Sequence, residues 1–366
     1  MDWWKKKKSL TVVQKQSLAR GLERGAMLTE DLIECCDGKS NPIKFFSPSQ
    51  IFKATENLCK SSIVSEFYDY ERWYSGTLDN QRMILVKKSW RAQPSNPEGF
   101  CSEVRDIAIS SMVSGHKNFM KLVGCCLETE IPFMVYYVGK KQYSRIDLVT
   151  ILSWKRRMKI AEEIATALAY LHTAFSRPFL YCNMDIRNIL LDEDGVAKLI
   201  DFSNCVSIPH GETFVKLGYV RGAYDYIDDD YMTTGLVSEI TDAFAFGILM
   251  QKLLTGEEVF RHLYGRKDWK NLAKRKFPRW LSKSLGEERM NEIVDPKMLE
   301  KMGGVSEEER CRMEAFLILS ERCIRLRGEV PKMVQVAKEL KRLRKDLTSS
   351  SFSSGETQIG PAQRHF

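Results

Sequence analysis

The chain has 366 residues, with 56 Lys and Arg against 48 Asp and Glu (net charge +8), 43% apolar and 28% charged residues. That length exceeds one average domain and the composition is ordinary for a packed globular protein, which excludes a disordered chain, a fibrous repeat and a small disulfide scaffold. No run approaches the ~18 apolar residues of a membrane span, position 2 is Asp rather than the Gly of an N-myristoylation signal, and the ten cysteines show neither a secreted framework nor a C-x-x-C pair, so the reading is a reducing cytosol.

Residues 1–45 form a polar extension with a weak helical pattern at Leu22, Ala26 and Leu32-Ile33. Lys5 to Lys8 beside Trp3-Trp4 leave peripheral contact with an anionic membrane open, although four lysines are marginal for it. From Phe46, Pro48 following Ser47 fits a helix entry with Ile51, Phe52 and Leu58 on one face. Phe67, Tyr68, Tyr70, Trp73 and Tyr74 belong to a β-hairpin, and Met83 to Lys87 form a strand that sets Leu85 and Lys87 on one face. Two strands follow, within His116–Glu128 and Pro132–Val138. Trp154, Met158, Ala161, Ile164, Leu168 and Leu171 recur at helical steps as a core face, and the apolar helix Thr241–Met250 carries one carboxylate, Asp242, which needs partners if buried. Arg261–Lys283 holds nine Lys and Arg against Asp268; it lacks a nucleic-acid fold signature, so no nucleic acid is expected as a partner. Two amphipathic helices, from Met313 and from Met333, close the fold, and residues 348–366 read as a disordered serine-rich tail.

Tyr181 to Ser203 reads Y-C-N-M-D-I-R-N-I-L-L-D-E-D-G-V-A-K-L-I-D-F-S. It resembles the catalytic loop and metal-binding turn of a protein kinase, H-R-D-x-K-x-x-N followed by D-F-G. The resemblance implies an α+β, two-lobed protein kinase fold, with a β-rich N-lobe at 46–138 and a helical C-lobe at 139–347. It also places a neutral amide, Asn183, where the catalytic base should be, and Asp185 where a lysine should neutralise the transferred phosphoryl group. No catalytic position is intact. The preceding His and Arg are Tyr181 and Cys182, and the D-F-G glycine is Ser203.

The same resemblance assigns the other cleft positions. Asn188 and Asp201 are vestigial metal positions, and Lys87 is the ATP-pairing lysine with Glu103 as its expected ion-pair partner. Leu85 replaces the alanine beneath adenine, and Tyr136 is expected at the back wall of the cleft. The three glycine positions over the phosphates hold Glu66, Tyr68 and Glu71, and the two acids are expected to repel a triphosphate. Asp242 is expected to prop the backbone of the catalytic loop. Asp230 and Val330 stand where a salt bridge joins the activation segment to the C-lobe, so residues 203–231 are expected to be mobile until a partner orders them, with Tyr224 and Tyr226 as partner contacts.

F-S-P-S-Q-I-F-K-A-T, H-K-N-F-M-K-L-V-G-C-C-L-E, A-Y-L-H-T-A-F and P-K-M-V-Q-V-A-K-E-L make the chain similar to the ZRK group of plant receptor-like cytoplasmic kinases. That resemblance implies a pseudokinase adaptor or decoy in plant innate immunity. It would link a nucleotide-binding leucine-rich-repeat immune receptor to effector-modified receptor-like cytoplasmic kinases, with pathogen effectors as further partners. Two other readings stay open, a weak or atypical Ser/Thr protein kinase and an ATP-binding nucleotide-responsive switch. ATP and Mg²⁺ are expected to bind weakly or not at all, and the protein is expected in the cytoplasm or at the periphery of the plasma membrane.

Overall fold

The structure is a computed structural model that describes residues 11–36, 43–66, 71–89, 97–139, 142–146, 153–264, 293–324 and 329–349. The lysines at 5–8, Tyr68, most of the basic stretch before Lys283 and residues 350–366 of the serine-rich tail lie outside the described residues, while Thr348 and Ser349, expected in that tail, end the last helix. The N-lobe opens with helix α1 (Val12–Cys36), strand β1 (Lys44–Phe45) and the short helix α2 (Pro48–Ala54). Ser47 and Gln50 cap α2 reciprocally, and Pro48 at its first turn has no N–H to leave unpaired. Strands β2 (Ile63–Glu66), β3 (Glu71–Thr77), β4 (Met83–Ser89), β5 (Lys121–Cys126) and β6 (Phe133–Tyr137) join β1 in a six-stranded sheet of order β1-β5-β6-β4-β3-β2. Helix α3 (Pro97–Val113) packs between α1 and β5. Gly124 lets β1 reach the sheet, because a Cβ there would lie 2.1 Å from the Lys44 carbonyl oxygen.

The polar extension of the sequence is part of this lobe. Leu28 of α1 is buried in the apolar cluster under the sheet, and Arg24, 4% exposed, donates to the carbonyls of Leu127 (2.8 Å), Thr129 and Glu130 (2.6 Å) in the turn between β5 and β6. A guanidinium buried on three backbone acceptors satisfies its own donors and a turn that no strand pairing covers.

The C-lobe is helical around α4 (Trp154–Thr173) and α6 (Glu239–Tyr264), which pack on each other, and around α8 (Glu307–Cys323) and α9 (Met333–Ser349). The short α7 (Pro296–Met302) precedes α8. The periodic residues of α4 are all buried, as are Ala243 to Met250 of α6, where the glycine at 247 lies against Cys323 and Ile324. Arg157 of α4 is inaccessible to solvent and pairs with Asp295 at 2.5 Å while donating to the Leu253 carbonyl. Small strands complete the lobe: β7 (Tyr143–Arg145), β9 (Ile189–Asp192) and β10 (Ala197–Leu199) in one sheet, β8 (Phe179–Leu180) with β11 (Val206–Ser207), and β12 (Phe214–Lys216) with β13 (Leu236–Ser238). A short helix, α5 (Asp229–Thr234), precedes β13. Among the described residues no helix is long and apolar enough to cross a membrane.

Candidate functional site

The loop between β8 and β9 hangs on one carboxylate. Asp242 at the start of α6 accepts the N–H of Tyr181 (2.7 Å) and of Cys182 (2.9 Å) and meets the His172 ring at 2.8 Å. Those bonds hold Cys182 at φ +51°, a left-handed conformation that costs a non-glycine residue energy. Tyr181 sends its hydroxyl to the Ile200 carbonyl (2.5 Å) and packs edge-on against Phe202. Asn183 ties the loop to the metal turn: its Nδ2 donates to the Asp201 carbonyl (3.0 Å), its Oδ1 accepts from Asn204 (2.9 Å), and its own carbonyl accepts from Asn188 (2.9 Å). The position that should take a proton is a brace, and an amide has no basic lone pair to offer.

Asp185 was expected to reverse the local charge. Its carboxylate instead accepts the Arg187 N–H (2.9 Å) and the guanidinium Nε (2.8 Å) and Nη2 (2.5 Å) of the same residue. The reversal is thus neutralised two residues away by two guanidinium donors on Oδ2, while Oδ1 caps the turn Ile186–Asn188. Burial pushes the Asp185 carboxyl up to about 6.

The Lys87 ammonium lies 2.8 Å from Asp106, 3.5 Å from Glu71 and 4.0 Å from Asp201. Burial opposes its charge, but the three carboxylates outweigh that and hold it well above the usual lysine range. The expected partner Glu103 is therefore corrected by one helical turn. Glu103 and Asp106 are three residues apart on one face of α3, and only packing chooses between them. Asp106 also accepts the Phe202 N–H (2.9 Å) and the Ser110 hydroxyl (3.2 Å), so one side chain joins sheet, helix and metal turn. Glu103 bonds Ser89 of β4, and burial pushes it up to about 7. The second acid in the helix was the signal that sequence reading passed over.

Glu71 does not stand over a phosphate site. It is 4% exposed, faces Lys87, and accepts the indole N–H of Trp73 at 2.6 Å. Trp73, two residues on, lies opposite Lys87 in the β3–β4 register and stacks on Tyr136 with centroids 5.3 Å apart. Leu85 is the cross-strand neighbour of Tyr136. Trp73, Leu85 and Tyr136 are 1%, 6% and 2% exposed and form one apolar cluster with Leu190 of β9 and Ile200 of the C-lobe. The sequence marked Trp73 only as a hairpin aromatic; its bulk beside a glycine position was the missed signal. Residue Tyr68 and the side chain of Glu66, the other two glycine positions, lie outside the described residues. Asp201 sits at φ +64° with its Oδ1 on the Ser203 N–H (3.3 Å) and hydroxyl (2.6 Å), and Asn188 is turned to the Asn183 carbonyl. The ATP–Mg²⁺ complex that a kinase fold implies does not fit these residues: its lysine already carries carboxylates and the slot for its base is filled by side chains.

The activation segment, expected to be loose, is anchored at several points. β12 pairs with β13, the Tyr231 hydroxyl accepts the Arg221 N–H (2.7 Å), and the Tyr226 hydroxyl accepts the Ile186 N–H of the catalytic loop (3.1 Å). Tyr226 is 3% exposed, which removes it from the candidate partner contacts: its ring completes the core and its hydroxyl satisfies a buried donor. Tyr224 is 65% exposed. Asp230 is also at the surface, accepting from the Thr234 hydroxyl (2.6 Å), and Val330 packs against the C-lobe core.

The family model for the protein kinase domain matches residues 72–330, a span that takes in both lobes. The chain is 57% identical to the non-functional pseudokinase ZRK15 of Arabidopsis thaliana, over 98% of this chain and 100% of that protein. In the same plant it is 54% identical to the inactive serine/threonine-protein kinase ZRK12, over 99% of this chain and 87% of that one, and 53% identical to a probable inactive receptor-like protein kinase, over 99% and 97%. The chain belongs to the protein kinase family and, within it, to the ZRK pseudokinases.

Proposed function

We propose that this pseudokinase is an adaptor or decoy in plant innate immunity, linking a nucleotide-binding leucine-rich-repeat receptor to effector-modified receptor-like cytoplasmic kinases. The supporting observation is a division of labour among side chains. Asn183, Asp185 and Glu71, at positions that serve proton abstraction or phosphate binding in a kinase, are all consumed by contacts inside the fold. Along the activation segment, its partner strand and the first turn of α6, by contrast, Phe214, Tyr219, Tyr224, Leu236 and Ile240 are 37% to 65% exposed. In the β12–β13 register Val215 and Val237 face the core, which leaves Phe214, Lys216 and Leu236 outward. Large apolar side chains gathered on a folded platform mark an interaction surface rather than a catalytic one. The identities of the two partners rest on the resemblance to the ZRK group.

The test is binding of the purified protein to a recombinant receptor of this class and to a receptor-like cytoplasmic kinase, with Phe214→Ala/Tyr224→Ala beside it. Loss of about tenfold or more in affinity for the kinase, roughly 1.4 kcal/mol, is expected with an unchanged melting temperature. Undiminished binding by the double variant would move the contact elsewhere on the molecule, and no binding to either class would sink the adaptor reading. The rival reading, a residual Ser/Thr kinase, draws on the Lys87–Asp106 pair and on Asn188 and Asp201; it demands phosphoryl transfer.

A further inference from the structure

From the face that β3 and β4 turn to the cleft, we infer that the nucleotide site is occupied by the protein itself, Trp73 lying in place of the base and Glu71 in place of a phosphate. The two residues are successive inward positions on β3 and are joined by the 2.6 Å bond from the indole N–H to the Glu71 carboxylate. The carboxylate lies 3.5 Å from Lys87, and an anion facing a buried ammonium is the interaction a phosphate oxygen would otherwise supply. The indole stacks on Tyr136 and is buried in the cluster that Leu85 enters from the N-lobe and Leu190 and Ile200 enter from the C-lobe. Apolar contact therefore runs across the cleft through the side chains themselves. Asp106 completes the arrangement by holding Lys87 and the Phe202 N–H together, so sheet, helix and metal turn are joined by one side chain of the chain itself. In a kinase whose lobes are organised by ATP, that state depends on ATP concentration; here it is constitutive. The inference rests on the pseudokinase reading only in taking this cleft as the descendant of a nucleotide site.

The experiment titrates a fluorescent ATP analogue with Mg²⁺ into wild type, Glu71→Gly, Trp73→Val, the double variant, and the double variant carrying Lys87→Met, with melting temperatures alongside. Wild type is expected to show no saturation up to about 1 mM, and the double variant to bind about tenfold tighter or better and to gain melting temperature with nucleotide. Lys87→Met should abolish that gain. Glu71→Gln keeps the volume and removes the charge, and it serves if a glycine in the strand prevents folding; weak binding appearing in it supports the electrostatic half. Tight binding by wild type, or a folded double variant that still binds nothing, overturns the inference. A phosphoryl-transfer assay on the same samples separates the two readings: transfer by wild type would defeat both the pseudokinase and the self-occupied site, because the donor must bind there, whereas nucleotide binding by wild type without transfer would overturn the occupancy alone.

Discussion

At Glu103 burial holds the carboxyl up at about 7, against an ordinary 4.5. The folded protein keeps a proton there that the unfolded chain releases above pH 4.5, so this residue's contribution to stability is whole below that pH and is lost as pH rises through about 7. At about 1.36 kcal/mol per unit, the loss by pH 8 is on the order of 3 kcal/mol. Glu103→Gln should therefore melt higher than wild type at pH 8 and alike at pH 5, read by calorimetry at both values. Parallel melting curves would mean that Ser89 and the nearby Lys87 sustain the charged form. Asp185, pushed up to about 6, acts in the same direction over a narrower window.

Helix α1 is the element whose role depends most on packing. Its Leu28 is 3% exposed among Val104, Ile107 and Ala108 of α3, and Asp31 pairs with Arg105 of the same helix at 3.6 Å. Since α3 carries Asp106, α1 braces the helix that holds Lys87. Leu28→Ala should cost about 3 kcal/mol, as buried Leu to Ala changes do, and hydrogen exchange should quicken along α3 before it does in the C-lobe. Uniform quickening of both lobes would show that α1 stabilises the whole fold and not this helix. The sequence offered only Leu22, Ala26, Leu32 and Ile33 as a weak pattern, and Leu22 and Ile33 are in fact exposed. The docking face is carried instead by Leu28, packed on α3, and by Arg24, whose partners are backbone carbonyls that no periodicity reveals.

For the whole molecule the chemistry comes down to proton and charge. Asn183 cannot accept a substrate proton, and the nearest cation to the former lysine position, Arg187, is clamped on Asp185. Incubation with radiolabelled ATP and Mg²⁺ or Mn²⁺ should give no incorporation into the protein or a generic substrate, since a general base alone contributes roughly 10²- to 10⁴-fold. Incorporation abolished by Asp201→Ala would reinstate a kinase. Much of this was legible in one dimension. The core face of α4 follows from its helical period, while the assignment of Asn188, Asp201 and Asp242 and the losses at Asn183 and Asp185 came with the resemblance to a kinase catalytic loop, a motif local along the chain. What spacing could not decide is direction in three dimensions. Whether Glu103 or Asp106 meets Lys87, whether Glu71 points at solvent or at an ammonium, and whether Tyr226 is a surface ring or a core ring depend on which groups arrive from distant segments. Those partners, Phe202, Trp73 and the Ile186 N–H among them, are brought together only when the lobes pack, and burial then decides which carboxylates must be paired.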